Sequence, residues 1–304
     1  MADRLVWLPF DPVSLGDPPA DLRYEVVDPT EHVPASVGEV AFYVTPYQVG
    51  PGVADVLASM PRLEVVQTLT AGVDNMLASV PDKVTLCSGR GIHDTSTAEL
   101  ALTLVLASLR GVPDFVRAHD RREWSFQWRP ALADKHVLLV GYGAIGQAIE
   151  ARLAPFEVTV SRVARTARVG VHDLGDLAGL LPAADVVILI LPLTDETRGL
   201  VDAGFLARMK DGALLVNMAR GPVVDNAALV AELTSGRITA ALDVVDPEPL
   251  PVDSPLWQAP GLLISPHVGG SSSAMWPRAH RLVRDQLHRW AAGQPLANVV
   301  GERS

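Results

Sequence analysis

The run His136-Val-Leu-Leu-Val140, followed by Gly141-Tyr-Gly143-Ala144-Ile145-Gly146-Gln-Ala-Ile-Glu, constrains this chain more than any other feature. The apolar stretch reads as a buried strand, the glycines as a turn, and the residues from about Ile145 onward as an amphipathic helix. Gly141 permits the tight turn, Gly143 lets backbone approach a pyrophosphate, and Gly146 lets the helix pack on the strand. The unpaired N–H groups at the helix start then face the phosphates. A glycine triplet alone recurs by chance in a chain with 24 glycines, and many such turns bind nothing. Here the strand before it, the helix after it, and a second strand at Val158 to Val160 together imply a dinucleotide-binding βαβ unit.

The remainder of the chain repeats the pattern. Short apolar runs at Leu5 to Phe10, Tyr24 to Val27, Val40 to Val44, Leu63 to Leu69 and Val84 to Cys87 alternate with turn or helical segments, which implies a parallel, helix-covered sheet. Thr95 to Leu109 is apolar almost all round and reads as a buried helix between layers. Asp114 to Lys135, with Trp124, Trp128 and Pro130, reads as irregular. Beyond the glycine loop come Val158 to Val160, Val186 to Leu191, Ala213 to Asn217, Ala240 to Val244 and Leu262 to Ser265. Counted from Val137 these make about six strands, the size of a full dinucleotide-binding sheet. Ala274 to Ala292 is an amphipathic helix, expected with the extended tail Pro295 to Val300 to pack back on the N-terminal lobe. The expected fold is α/β: two doubly wound parallel-sheet domains, a Rossmann nucleotide-binding domain at 98–272 and a flavodoxin-like substrate domain from 1–97 and 273–304.

Composition narrows the function classes. The 304 residues are 48% hydrophobic and 20% charged, with 25 Lys plus Arg against 35 Asp plus Glu. A net charge of -10 without a basic run argues against a nucleic-acid or membrane-surface partner. No apolar run approaches the roughly 18 residues that span a bilayer, and no basic-plus-apolar signal precedes Leu5, so a cytoplasmic location is expected. The single Cys87 lies in an apolar run and reads as a small buried hydrophobe. No metal site is expected.

Three chemistry-bearing residues follow apolar strands: Arg220 in Val216-Asn-Met-Ala-Arg220-Gly, Glu248 in Ala241-Leu-Asp243-Val-Val-Asp-Pro-Glu248-Pro, and His267 in Leu263-Ile-Ser-Pro-His267-Val-Gly269. Loops at the carboxyl ends of the strands surround the ligand crevice of a doubly wound sheet, so all three would face it. An arginine can fork onto carboxylate and carbonyl oxygens, a histidine can pass the hydroxyl proton, and a carboxylate can hold the imidazole and favour its charged form. That set suits reversible hydride transfer on a 2-oxo acid. Each residue taken singly is also an ordinary strand exit.

Four segments occur in order: Thr194-Asp-Glu-Thr-Arg-Gly-Leu, Asn217-Met-Ala-Arg220-Gly-Pro-Val-Val-Asp225, the Asp243 to Glu248 run, and Ser265-Pro-His267-Val-Gly269. With their spacing, the stretch from about Leu63 to Val300 resembles the D-isomer-specific 2-hydroxyacid dehydrogenases. The resemblance implies Arg220 as the substrate-binding and carbonyl-polarising group, His267 as acid/base and Glu248 as its partner. It implies backbone N–H groups of Ala71 and Gly72 on the substrate carboxylate, and Asp243 near the nicotinamide carboxamide. Ala144 and Ile145 beside the loop glycines, and Pro192, Ala219 and Gly269 at later strand exits, complete the implied cofactor set.

One departure bears on the cofactor. NAD-preferring members of that family carry an aspartate after the second nucleotide strand, whereas Thr159-Val-Ser161-Arg162-Val-Ala-Arg165-Thr has no acid. Ser161, Arg162 and Arg165 resemble the NADPH-using glyoxylate and hydroxypyruvate reductases, since a 2′-phosphate needs basic partners. The expectation is an enzyme reducing a small 2-oxo acid to the D-2-hydroxy acid with NADPH preferred and NAD usable. A homodimer is expected, with Trp124 or Trp128 reaching the neighbouring subunit. Side-chain selection is expected from loops near Thr45 to Val49, Arg90 to His93 and Trp276. The alternative is a non-catalytic, dinucleotide-sensing protein of the corepressor type on the same scaffold.

Overall fold

The computed structural model describes residues 4–47, 52–74 and 76–301. They fall into two compact units, one from Met1–His93 with Ser273–Ser304 and the other Asp94–Ser272. The first unit contains β1 (Arg4–Leu8), β2 (Leu22–Val26), β3 (Val40–Val44), the short helix α1 (Val53–Ala58), β4 (Val65–Gln67) and β5 (Thr85–Cys87). The second opens with α2 (Asp94–Arg110) and α3 (Val112–Asp120), then runs β6 (His136–Val140), α4 (Ala144–Leu153), β7 (Thr159–Val163), α5 (Leu177–Leu180), β8 (Val186–Leu189) and α6 (Ala203–Arg208). It ends with β9 (Leu214–Asn217), α7 (Asn226–Thr234), β10 (Thr239–Leu242) and β11 (Leu262–Ile264), after which α8 (Met275–Ala291) returns the chain to the first unit.

Every paired strand is parallel. The first sheet has the order β2-β1-β3-β4-β5, the flavodoxin-like arrangement. Its central strands are apolar at almost every position because both faces are covered. Val6 and Leu8 of β1 pack with Met275, Ala279, Val283 and Leu287 of α8, while Leu5 and Trp7 pack with Leu57 of α1 on the opposite face. Helix α8 follows from a stripe of apolar residues at four-residue spacing. Its C-terminal end meets the amino ends of the strands: Trp290 Nε1 donates to Glu64 at 2.9 Å, and the Arg4 guanidinium lies 3.5 Å from the Trp290 ring centroid.

The second sheet has the order β11-β10-β9-β8-β6-β7. A parallel bridge between Val163 and His172 adds one more backbone pair outside β7, so that this pair, β7, β6, β8, β9 and β10 follow the 3-2-1-4-5-6 sequence of a dinucleotide fold and β11 adds a seventh row at the far edge. Leu138 and Val140 face one core, and Val137 and Leu139 face another formed with α2 and α4. The strand order reverses between β6 and β8, so their exits diverge and leave a crevice above the sheet.

Two sequence expectations need correction. The stretch expected to be irregular from Asp114 begins inside α3, whose Pro113 sits where proline costs no hydrogen bond, in the first turn. The second nucleotide strand runs to Val163 rather than Val160, so Ser161 and Arg162 lie within it, level with Leu138 and Leu139. Of the expected selection loop at Thr45 to Val49, Gln48 and Val49 lie outside the described residues. Among the described residues no helix is long and apolar enough to cross a membrane.

Candidate active site

The glycine loop has the geometry that its sequence implies. Gly141 adopts φ +110°, and a Cβ there would collide with the Ile190 carbonyl at the β8 exit, so the loop closes against the strand beyond the switch point. A Cβ on Gly146 would stand 2.5 Å from the Gly141 carbonyl oxygen. Gly143 differs: nothing lies within 4 Å of a Cβ built there, and it caps the ten-residue helix α4. Two glycines thus serve packing and the third borders open space at a helix N-terminus, which fits a pyrophosphate.

Beside the loop, Arg162 is already engaged. Its Nε donates to Glu150 Oε2 at 2.8 Å, its Nη2 donates to Glu150 Oε1, and the Tyr142 hydroxyl donates to the same carboxylate. The hydrogen bond from Arg162 holds the Glu150 carboxyl below the usual carboxylate range, and the one to Glu150 raises Tyr142. Arg168 donates to the Tyr142 carbonyl at 2.9 Å, with its guanidinium 5.6 Å from the Tyr142 ring centroid. Arg165 stands exposed just past the end of β7. Ser161 Oγ pairs with His136 Nε2 at 2.8 Å within the strands. Arg168 thus borders the glycine loop, and Arg165 lies two residues beyond Val163, the β7 partner of Val140. Glu150 and Arg168 carried no distinguishing signal in the sequence, because one lies on an ordinary helix and the other in a polar loop.

Arg220, Glu248 and His267 come together through three strand exits. The β9 exit turns on Asn217, buried at the strand end, whose side chain accepts from Ala219 N at 2.9 Å and donates to the Arg220 carbonyl at 3.0 Å. Gly221 follows, and a Cβ there would overlap the Val245 carbonyl, so the Arg220 turn lies directly against the segment leading to Glu248. Glu248 Oε1 accepts from Val245 N at 3.1 Å, and Oε2 lies 2.8 Å from His267 Nδ1. Asp243, 3% exposed, accepts from Ser265 Oγ at 2.6 Å and from the N–H groups of Val268 and Gly269 at 2.9 Å each. Its own carbonyl accepts from His267 N at 2.7 Å. Asp243 thereby holds His267 in a left-handed conformation (φ +53°), uncommon for a residue other than glycine.

The electrostatics follow. The hydrogen bond to Glu248 raises the His267 pKa, against burial and the nearby Arg220 charge. Burial pushes Glu248 up, but the bond and charge of His267, with Val245 N–H and Arg220, outweigh it and leave the carboxyl low. Nδ1 is committed to the carboxylate, so Nε2 is the ring atom available to exchange a proton. Pro192 at the β8 exit accepts from buried Thr197 Oγ1 at 2.7 Å, bracing a further loop of this crevice.

In the first unit, Ala71 and Gly72 lie in the loop after β4. Thr68 Oγ1 donates to the Thr70 carbonyl at 2.9 Å, Thr70 Oγ1 donates to the Gly72 carbonyl at 2.8 Å, and Gly89 N donates to Thr70 O at 2.7 Å. Beneath them, buried Gln67 donates to the Thr68 carbonyl at 2.8 Å and accepts from Gln286 of α8 at 2.9 Å. Sequence reading passed over Gln286, a polar residue on the apolar stripe of α8. That mismatch was the available signal.

Residues 102–269 match the family described as D-isomer specific 2-hydroxyacid dehydrogenase, NAD binding domain. The chain belongs to the D-isomer specific 2-hydroxyacid dehydrogenases. It is 37% identical over 230 residues to glyoxylate/hydroxypyruvate reductase B of Citrobacter koseri, covering 71% of each chain. It is 36% identical over 259 residues to the D-3-phosphoglycerate dehydrogenase of Mycobacterium bovis, a match covering 81% of this chain and 48% of the relative. The chain thus spans about half the length of the phosphoglycerate dehydrogenases it matches. Among solved structures, a D-isomer specific 2-hydroxyacid dehydrogenase of Xanthobacter autotrophicus Py2, in complex with NADPH and MES, matches with a TM-score of 0.84 and 33% identity, over 99% of this chain and 98% of that one.

Proposed function

We propose that this 2-hydroxyacid dehydrogenase reduces a 2-oxo acid of the glyoxylate and hydroxypyruvate kind to the D-2-hydroxy acid, with NADPH as the favoured cofactor. The observation that carries this reading is His267 Nδ1 at 2.8 Å from Glu248, beside the Arg220 turn. The second unit is the nucleotide-binding domain and the first the substrate domain. Gly141, Gly143, Ala144, Ile145 and Gly146 hold the pyrophosphate; Pro192, Ala219, Asp243 and Gly269 border the nicotinamide. Bound NADPH supplies the hydride. Arg220 forks onto the substrate's carboxylate and carbonyl oxygens, and His267 Nε2 gives its proton to the carbonyl oxygen as that oxygen gains charge. Glu248 keeps the imidazole charged and oriented.

The preference for NADPH rests on the absent acid after β7 and on Arg165 with Arg168 beside the glycine loop, and a neighbour with NADPH bound supports it. Arg162 keeps the loop's Tyr142 in place through Glu150. For the assembly, Trp124, Phe126 and Trp128 are 99%, 78% and 91% exposed on the segment after α3, an apolar surface suited to a second copy of the chain. Sedimentation velocity tests the dimer, with Trp124→Ser and Trp128→Ser together expected to shift the mass toward the monomer.

NADPH absorbance followed over a panel of 2-oxo acids tests the activity. His267→Ala should lower kcat about 100- to 10,000-fold, the usual scale of acid catalysis, while NADPH binding stays within a few-fold. A variant that keeps more than about a tenth of kcat assigns the proton to another group. Absence of turnover with every acid favours the non-catalytic, dinucleotide-sensing alternative.

A further inference from the structure

Tyr142 stands between the first two glycines of the nucleotide loop, and its ring, hydroxyl and carbonyl each meet a charged side chain. The ring centroid lies 5.7 Å from the Arg162 guanidinium and 5.6 Å from that of Arg168. The hydroxyl donates to Glu150 of α4, the carboxylate that Arg162 also holds. The carbonyl accepts from Arg168 Nη2 at 2.9 Å. Arg162 thus balances Glu150, and the charge left over beside the ring is that of Arg168. Arg168 is fixed at its root as well as at its tip. Its N–H donates to the Val171 carbonyl at 2.9 Å and Val171 N donates to the Arg168 carbonyl at 2.8 Å, closing a tight turn. His172 N then donates to the Arg162 carbonyl at 2.8 Å and Ala164 N to the His172 carbonyl at 2.9 Å, so the turn is tied back to β7.

We propose that Tyr142 is a specificity-determining residue for the cofactor: its ring is the platform that holds the Arg168 guanidinium ready for a phosphate on the adenosine 2′-oxygen. This rests on the reading that NADPH is the favoured cofactor and names the side chain that prepares the site for it. In a dinucleotide fold the glycine loop takes the pyrophosphate, and the residues after the second strand take the adenosine ribose. Arg168 is rooted after β7 and reaches the glycine loop, so it spans those two places. One of its guanidinium N–H groups is spent on the Tyr142 carbonyl, and the others remain for an anion. An arginine already held in place loses less rotamer freedom when a phosphate arrives. A cation against a tyrosine ring at an exposed site contributes on the order of two- to fivefold in an equilibrium constant. NADH carries a hydroxyl at that position and gains little from an oriented charge.

The test is binding to the full chain without substrate: NADPH and NADH by nicotinamide fluorescence, adenosine 2′,5′-bisphosphate and AMP by calorimetry. The variants are Tyr142→Phe, Tyr142→Leu, Arg168→Ala and the Tyr142→Leu, Arg168→Ala pair, each checked for an unaltered circular-dichroism spectrum. Tyr142→Leu keeps bulk and removes the ring face. It should raise Kd for NADPH and for the bisphosphate about three- to fivefold, while NADH and AMP move less than about twofold. Tyr142→Phe keeps the face and loses only the Glu150 contact, so its NADPH over NADH affinity ratio should stay within about twofold of wild type. With Arg168→Ala already present, Tyr142→Leu should not change that ratio further, since the platform then carries nothing. Equal losses for NADPH and NADH in Tyr142→Leu, an unchanged ratio there, or an equal fall in Tyr142→Phe overturns the platform. In each of those cases a ratio that still falls in Arg168→Ala leaves the NADPH reading standing. A wild type that binds NADH as tightly as NADPH overturns both.

Discussion

Replacing Arg162 separates support of the glycine loop from contact with the cofactor. Arg162 makes two bonds to Glu150, with side chains 32% and 20% exposed respectively, and Glu150 also takes the Tyr142 hydroxyl. Arg162→Ala leaves a half-buried carboxylate with one neutral donor. A lost partly buried partner of this kind costs about 1–2 kcal/mol after discounting for solvent. At about 2–4 °C per kcal/mol for a protein of this size, Tm should fall by roughly 2–8 °C. Arg165 and Arg168 are exposed, so a charge-assisted bond from either to a 2′-phosphate, nominally about 1.5–3 kcal/mol, should deliver about half of that in salt. About 1.4 kcal/mol is a factor of ten, so the Arg165→Ala, Arg168→Ala double variant should reduce the NADPH over NADH ratio of kcat/KM about 10- to 100-fold, through KM for NADPH. Arg162→Ala should move that ratio less than about threefold. The assays are thermal melting by circular dichroism and initial rates with both cofactors at two salt concentrations. A tenfold collapse of the ratio in Arg162→Ala at unchanged Tm would refute the reasoning, as would an unaltered ratio in the double variant.

Three further outcomes are expected. Glu248 raises the His267 pKa and so stabilises the imidazolium; reduction therefore declines as pH rises through that value. Glu248→Gln removes the charge, and the decline should begin at lower pH; a profile that does not move places the carboxylate outside the proton path. Gln286→Ala strands the Gln67 side-chain oxygen and the Ala297 N–H, and should cost about 2–4 kcal/mol in urea melts, with Gln286→Glu no rescue because a buried charge would replace the amide. Arg220→Lys should lower kcat and raise KM for the 2-oxo acid together, since a point charge cannot fork onto two oxygens; unchanged kinetics would remove Arg220 from the substrate.

The periodic and glycine-marked parts of this protein were legible in its sequence. Parallel strands covered on both faces must be apolar throughout, so β3, β6, β8 and β9 stood out as runs, and the glycine loop announced its turn because only glycine tolerates the approach to the Ile190 carbonyl. Arg220, Glu248 and His267 were readable because each directly follows such a run, and the rule that strand exits surround the crevice converts sequence position into location. Tertiary structure alone decided what each polar side chain meets. Arg162 looked equivalent to Arg165 in sequence, yet β7 continues to Val163 and turns Arg162 onto Glu150 of α4. Asp243 looked like a cofactor contact, and the fold gives its carboxylate three donors from the His267 turn. Phe10 and Trp276 lie 266 positions apart, and meet because α8 crosses the chain back onto the first sheet. A strand or helix is specified by local spacing, whereas a partner is specified by packing between segments remote in sequence, and that packing is visible only in the folded molecule.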